Sequence, residues 1–120
     1  MIKVMGIKNC DTVRKALKWL DNETMDYEFH DFKKDGLSGD LATVLADKID
    51  INTLINKRGT TWRKVDEAIK TAIEAGDKEA AIALMQVEPS VVKRPVWFIG
   101  DEGFVAFKQA EMDRIKSLVA

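Results

Sequence analysis

A single thiol stands in this chain of 120 residues, at Cys10. It sits in Lys8-Asn9-Cys10-Asp11-Thr12, a polar turn between the apolar run Ile2 to Ile7 and a segment with helical periodicity. The N–H groups at a helix start have no intrahelical partner, and the helix dipole places partial positive charge there. Both favour a thiolate, lowering a free cysteine from about 8.5 by roughly one unit or more. Arg14, one turn on, and Lys8 are expected to add cationic charge, whereas Asp11 opposes them. A thiol with a depressed but not extreme pKa follows. The alternative, a small buried hydrophobe, is the fate of most free cysteines. The polar neighbours argue against it.

The elements that position this thiol are legible from periodicity. Ile2 to Ile7 has the length and apolar character of a buried strand. A helix is expected from about Thr12 to Leu20, with Val13, Ala16, Leu17 and Leu20 on one face and Trp19 off it. Tyr27 to Phe32 alternates as a second strand. Strand, helix, strand at this spacing implies a right-handed βαβ unit with parallel strands. From Gly36 to about Gln86 the pattern is helical. Ser38 can cap a helix carrying Leu41, Val44, Leu45 and Lys48. Thr60 can cap another carrying Trp62, Val65, Ile69, Ala72 and Ile73, which Gly76 closes. Asp77 opens a third through Met85, and Pro89 stops helical structure.

Beyond it the pattern reverts to β, with strands at Val96–Ile99 and Phe104–Phe107 around a Gly100-Asp101-Glu102-Gly103 turn. Ala110 to Val119 closes the chain as a helix with Met112, Ile115, Leu118 and Val119 apolar. The fold class is therefore α/β: a thioredoxin-like mixed four-stranded sheet in the order β-α-β, helical insertion, β-β-α. A single domain over residues 1–120 is expected, its core about 1–35 and 87–120 and its insertion about 36–86. In that plan the Pro95 of Lys93-Arg94-Pro95, just before the third strand, lies against the redox cysteine and is usually cis. Arg94 would then point a planar, permanently charged fork toward it. Read without the plan, Arg94 is a solvated surface residue and Pro95 a strand-entry proline.

Bulk properties narrow the function classes. At 46% hydrophobic and 32% charged the composition is that of a soluble globular domain, and its length suits one core. With 19 basic and 20 acidic residues the net charge is −1, so no global field draws it to nucleic acid or an anionic membrane. The N-terminal apolar run is too short for a signal peptide and nothing approaches a membrane span. One cysteine excludes an internal disulfide and fits a reducing cytoplasm. His30, the only histidine, lies in an alternating strand without the partners a metal would need, and reads as structural. Trp62 and Trp97 fit core or groove-wall positions.

Three segments together, Gly6-Ile7-Lys8-Asn9-Cys10-Asp11-Thr12-Val13-Arg14-Lys15-Ala16, Asn56-Lys57-Arg58-Gly59-Thr60-Thr61-Trp62-Arg63 and Lys93-Arg94-Pro95-Val96, resemble the ArsC/Spx family of thioredoxin-like proteins, nearest its YffB-type branch. The likeness covers essentially the whole chain. It implies an oxidoreductase in which Cys10 is the nucleophile. In the glutaredoxin-linked arsenate reductases of the family, an arginine triad steadies the oxyanion. Arg94 matches one arginine, Arg58 lies about two positions from another with Asn56 nearer the strict alignment, and Lys108 is the best match to the third. A lysine offers a point charge, not the bidentate fork that fits a tetrahedral oxyanion. Val13 stands where those reductases carry a hydroxyl residue. Both departures favour the YffB-like reading, a glutathione-dependent thiol reductase.

The single cysteine leads to the same mechanism independently. With no second thiol to resolve a mixed disulfide, an external thiol such as glutathione must do so. Glutathione is thus expected as co-substrate, with no bound cofactor or metal. Asn9, Thr12, Arg14, Arg58, Arg94 and Lys108 are expected to contact the substrate or anion, with Pro95 shaping the site. Partners would be glutathione, glutaredoxin and an oxidised thiol or oxyanion. The Spx branch offers the alternative of a redox-sensitive regulator that binds the RNA polymerase α-subunit. Its best-known members carry a Cys-x-x-Cys pair, which Val13 interrupts here.

Overall fold

The computed structural model describes residues 1–120. In chain order its elements are β1 (Ile2–Gly6), α1 (Asp11–Asn22), β2 (Tyr27–Asp31), α2 (Gly39–Lys48), α3 (Ile51–Leu54), α4 (Thr60–Arg63), α5 (Glu67–Glu74), α6 (Lys78–Val87), a 3-10 turn (Pro89–Val91), β3 (Val96–Ile99), β4 (Glu102–Val105) and α7 (Gln109–Val119). They fall into two units, residues 1–35 with 94–120, and residues 36–93.

The first unit is built on a four-stranded sheet ordered β2-β1-β3-β4. β1 runs parallel to β2 and antiparallel to β3, and β3 and β4 form an antiparallel hairpin. This is the thioredoxin-like arrangement expected from the sequence. β1 is apolar because it is central: Val4 pairs with Phe29 on one side and Trp97 on the other, and it is fully buried. Of its predicted stripe α1 buries Val13, Ala16 and Leu20, while Leu17 is half-buried; Ala16 and Leu20 pack in a core that includes Ile2, Trp97 and Ile115. Side chains the size of Val13 or Leu20 are each worth about 1.5–3 kcal/mol when withdrawn from water.

Trp19 is closer to the core than its place on the helical wheel suggests. It packs edge-on against Phe107 at 5.6 Å between ring centroids, with the Lys116 ammonium 6.0 Å from its ring. α7 buries only Ile115 of its four apolar candidates, and Leu118 and Val119 remain 37% and 42% exposed.

The hairpin differs from expectation by two residues. Ile99 pairs with Glu102 and Phe98 with Gly103, so the connection is only Gly100-Asp101, and Gly100 takes a φ of +58°. β4 ends at Val105 because Ala106 adopts a φ of +85°. That turn sends the Ala106 N–H to the Pro95 carbonyl at 3.0 Å and its carbonyl to Trp97 Nε1 at 2.8 Å.

In the second unit, Ser38 caps α2 through the Leu41 N–H at 3.2 Å and Asp77 caps α6 through the Ala80 N–H at 3.2 Å. α2 packs on α6, burying Ala42, Leu45 and Ala46 with Ala81 and Met85, while Val44 faces out. The single helix expected after Thr60 is two. Gly59, not Thr60, is the N-cap of α4, and Asp66 starts α5 by accepting from the Ala68 N–H at 3.1 Å. α3 is an additional turn, capped by Asp50 and burying Ile51 and Leu54. This unit extends past residue 86 to Lys93. The Ile55–Val92 bridge, Asn56 N–H to Val91 O and Lys93 N–H to Leu54 O (both 2.8 Å) tie the segment after α6 to it.

Candidate functional site

Cys10 occupies the N-cap position of α1, with φ −128° and ψ 127°. Its carbonyl accepts the Arg14 N–H at 2.9 Å, the first bond of the helix. The half-buried sulfur makes no short cap bond of the kind an oxygen makes, but the Val13 and Thr12 N–H groups and the Arg94 side chain are directed at it. Partial burial pushes the thiol pKa up. The Val13 N–H, the Arg94 hydrogen bond, the Thr12 N–H and the Arg94 charge together outweigh it, so Cys10 ionises below an ordinary thiol.

Arg94 reaches the site through a cis Arg94–Pro95 peptide. Pro95 is buried, its carbonyl held by the Ala106 N–H, so the hairpin is hydrogen-bonded to the segment that delivers the guanidinium. Gly6, at the end of β1, makes room for Val13 in the first turn of α1. A Cβ there would lie 2.7 Å from Val13 Cγ2 and 3.7 Å from Arg94 Cβ. The role of Gly6 is not evident from the sequence pattern; a glycine inside the apolar run Ile2 to Ile7, marking a close backbone approach, is the signal that points to it.

Arg14 does not join Arg94 at the sulfur. Its Nη1 donates to Asn9 Oδ1 at 3.0 Å and its Nη2 to the Asp11 carboxylate. Asn9 is therefore engaged as well, and Thr12 contributes its main-chain N–H. Lys8 is exposed on the turn. With Asn9, Arg14, Leu17, Lys18 and Asp21 it lines an open groove of about 520 Å³ along α1. Lys108 is exposed at the N-cap of α7, where its N–H donates to Glu111 Oε1 at 2.7 Å. Arg58 belongs to the second unit, exposed on the loop before α4, and its N–H donates to Asn56 Oδ1 at 3.2 Å. His30 lies in β2, its ring 5.8 Å from that of Phe32. No helix is long and apolar enough to cross a membrane.

The arrangement is suited to nucleophilic sulfur chemistry: an ionisable thiol, two main-chain donors and one permanent cation, with the sulfur partly open to solvent.

A model of the ArsC family matches residues 5–115 of the chain. An uncharacterised protein from Haemophilus influenzae is 39% identical over 111 residues, covering 92% of this chain and 95% of that one. A solved YffB protein superposes over the full length of both chains with a TM-score of 0.86 at 38% identity. An arsenate reductase (ArsC) related protein from Brucella melitensis aligns over 98% of this chain and 95% of its own, with a TM-score of 0.75 and 38% identity.

Proposed function

This chain belongs to the ArsC family, and we propose that it is a monothiol thiol-disulfide reductase that uses Cys10 as nucleophile and glutathione as the external thiol. One observation carries the reading. The only sulfhydryl of the chain sits under the N–H groups of Val13 and Thr12 and beside Arg94, with no second cysteine to complete a dithiol. The Cys10 thiolate attacks one sulfur of an oxidised substrate R–S–S–G. A Cys10–S–S–G bond forms at the glutathione sulfur, the S–S bond of R–S–S–G breaks, and RS⁻ leaves and takes a proton. A glutathione thiolate then attacks the glutathione sulfur of the mixed disulfide, releasing GSSG and regenerating the Cys10 thiolate. Arg94 and the two N–H groups stabilise the thiolate both as attacking and as departing group. Lys8 and Lys108 offer exposed cations to glutathione carboxylates, and the net reaction belongs in a reducing compartment such as the cytoplasm.

The test is incubation with oxidised glutathione, read by intact mass. Wild type should gain one glutathione and Cys10→Ser none. No gain, or an equal gain by Cys10→Ser, overturns the reading. The arsenate reductase related protein from Brucella supports a second reading, attack of the same thiolate on arsenate. Arsenate-dependent turnover with glutathione and glutaredoxin, lost in Cys10→Ser, is its signature; inertness toward arsenate leaves the thiol reductase alone.

A further inference from the structure

We propose that Arg14 is a positioning residue for Cys10: its guanidinium ties together the two residues that flank the cysteine and cancels the charge of Asp11 next to the sulfur. The inference rests on Cys10 being the working thiol.

Three bonds converge from Arg14 on three consecutive residues. Nη1 reaches Asn9 Oδ1 at 3.0 Å, Nη2 reaches the Asp11 carboxylate, and its main-chain N–H reaches the Cys10 carbonyl at 2.9 Å. A planar fork can hold two acceptors at once in fixed directions, which a lysine head cannot. The side chain thus ties Asn9 to Asp11 across Cys10, while the main-chain bond is the first of the helix. Asp11 is well placed for the helix, since the first turn favours an acid, but badly placed for a neighbouring thiolate. Arg94, from the segment before β3, is the charge that acts on the sulfur; Lys8 on the turn and Asp11 and Arg14 on α1 are the charged residues nearest to Cys10 in sequence. Pairing removes the last two as a net charge and leaves Arg94 as the cation that acts on sulfur.

The Arg14 and Asp11 side chains are 55% and 85% exposed, so their ion pair adds little to fold stability. The consequence is local, and at these exposures each uncompensated charge should change the thiolate equilibrium by about two- to threefold.

The test compares wild type, Arg14→Ala, Asp11→Asn, the double variant and Arg14→Lys. The readouts are thiolate absorbance and iodoacetamide alkylation against pH. Arg14→Ala leaves the Asp11 charge uncompensated beside Cys10 and should lower the thiolate-to-thiol ratio about two- to threefold; Asp11→Asn leaves the Arg14 charge uncompensated and should raise it as much. The double variant should return toward wild type, and Arg14→Lys, which keeps the charge but not the fork, should fall between wild type and Arg14→Ala. All differences should shrink in about 1 M salt, where the Debye length is about 3 Å. A clamp without a charge effect would be weakened by both variants, fully by Arg14→Ala and in part by Asp11→Asn, so shifts in the same direction overturn the proposal, as does an unchanged Arg14→Ala. Asp11→Asn and Arg14→Lys keep it falsifiable if Arg14→Ala fails to fold. None of these readouts involves glutathione. Failure to gain glutathione with the opposed shifts intact counts against the reductase, and flat titrations with glutathionylation intact count against the role of Arg14 alone.

Discussion

Gly6 and Val13 touch so closely that there is no space for a β-carbon between them: one built on Gly6 lies 2.7 Å from Val13 Cγ2, and Val13 is fully buried. The end of β1 and the first turn of α1 are thus in backbone-to-side-chain contact, with the Arg94 Cβ 3.7 Å from the same point. The Val13 N–H is one of the donors to Cys10, so this contact sets where the sulfur meets its donors.

Gly6→Ala should therefore cost about 1–3 kcal/mol, the range for overpacking a core, measurable by chemical denaturation. The Cys10 thiolate should form at higher pH in this variant as its donors shift. Adding Val13→Ala should recover part of the loss, because the clash is with that side chain. Additive losses in the double variant would mean that the two residues are not coupled.

Arg94→Ala should raise the pH at which Cys10 ionises, and Arg94→Lys should fall between it and wild type, read from alkylation rate against pH. Burial opposes ionisation at this sulfur, so removing Arg94 leaves only the Val13 and Thr12 N–H groups against it.

The same shift links Cys10 to stability. The folded thiol ionises below its unfolded value, so the thiolate's contribution is present in full above the unfolded value of about 8.5. It is lost as the pH falls through the lower, folded value. Denaturation midpoints of wild type should therefore fall relative to Cys10→Ser as pH drops through that window. A constant difference between the two proteins across it would contradict the shift.

Ala106 holds a φ of +85°, a conformation that glycine adopts without strain. Ala106→Gly should be neutral or stabilising by up to about 1 kcal/mol, where the same change in a strand interior costs 0.5–1 kcal/mol. Trp97→Phe removes the 2.8 Å donor to the Ala106 carbonyl and should cost about 1–3 kcal/mol. Thermal melts of the two variants should move in opposite directions or differ clearly in size.

Helix caps in the second unit give a contrast between neighbours. Asp66→Ala and Asp77→Ala each remove a carboxylate acceptor from a helix start and should cost about 1 kcal/mol. Thr60→Ala should stay within about 0.5 kcal/mol, because Gly59 holds the cap position. A larger loss at Thr60 would restore it as a cap.

What could be read from the chain alone was whatever depends on a few consecutive residues. Cys10 at the start of a helix, the Val13-Ala16-Leu20 stripe, the caps at Ser38 and Asp77 and a hairpin around Gly100 are all of that kind. Periodicity and capping act within a turn or a strand, so local composition carries them. Where two local signals competed, the chain was less legible: Lys64-Val65-Asp66 continues an apolar helical pattern, yet Asp66 restarts the helix because its carboxylate takes the Ala68 N–H.

The contacts that make the site depend on distant segments. Arg94 reaches Cys10 because β3 pairs antiparallel with β1, matching Met5 to Val96 and so bringing the residues just before β3 to the end of β1. The close approach that favours glycine at position 6 comes from Val13 on α1, and it depends on how the helix packs back on β1. Arg14 lay close to Cys10 in sequence, and spacing alone pointed it at the sulfur. Its fork instead found Asn9 and Asp11, since an exposed guanidinium gains more from two oxygen acceptors than from a single sulfur. Local sequence placed the thiol at a helix start; tertiary pairing decided which cation stands beside it.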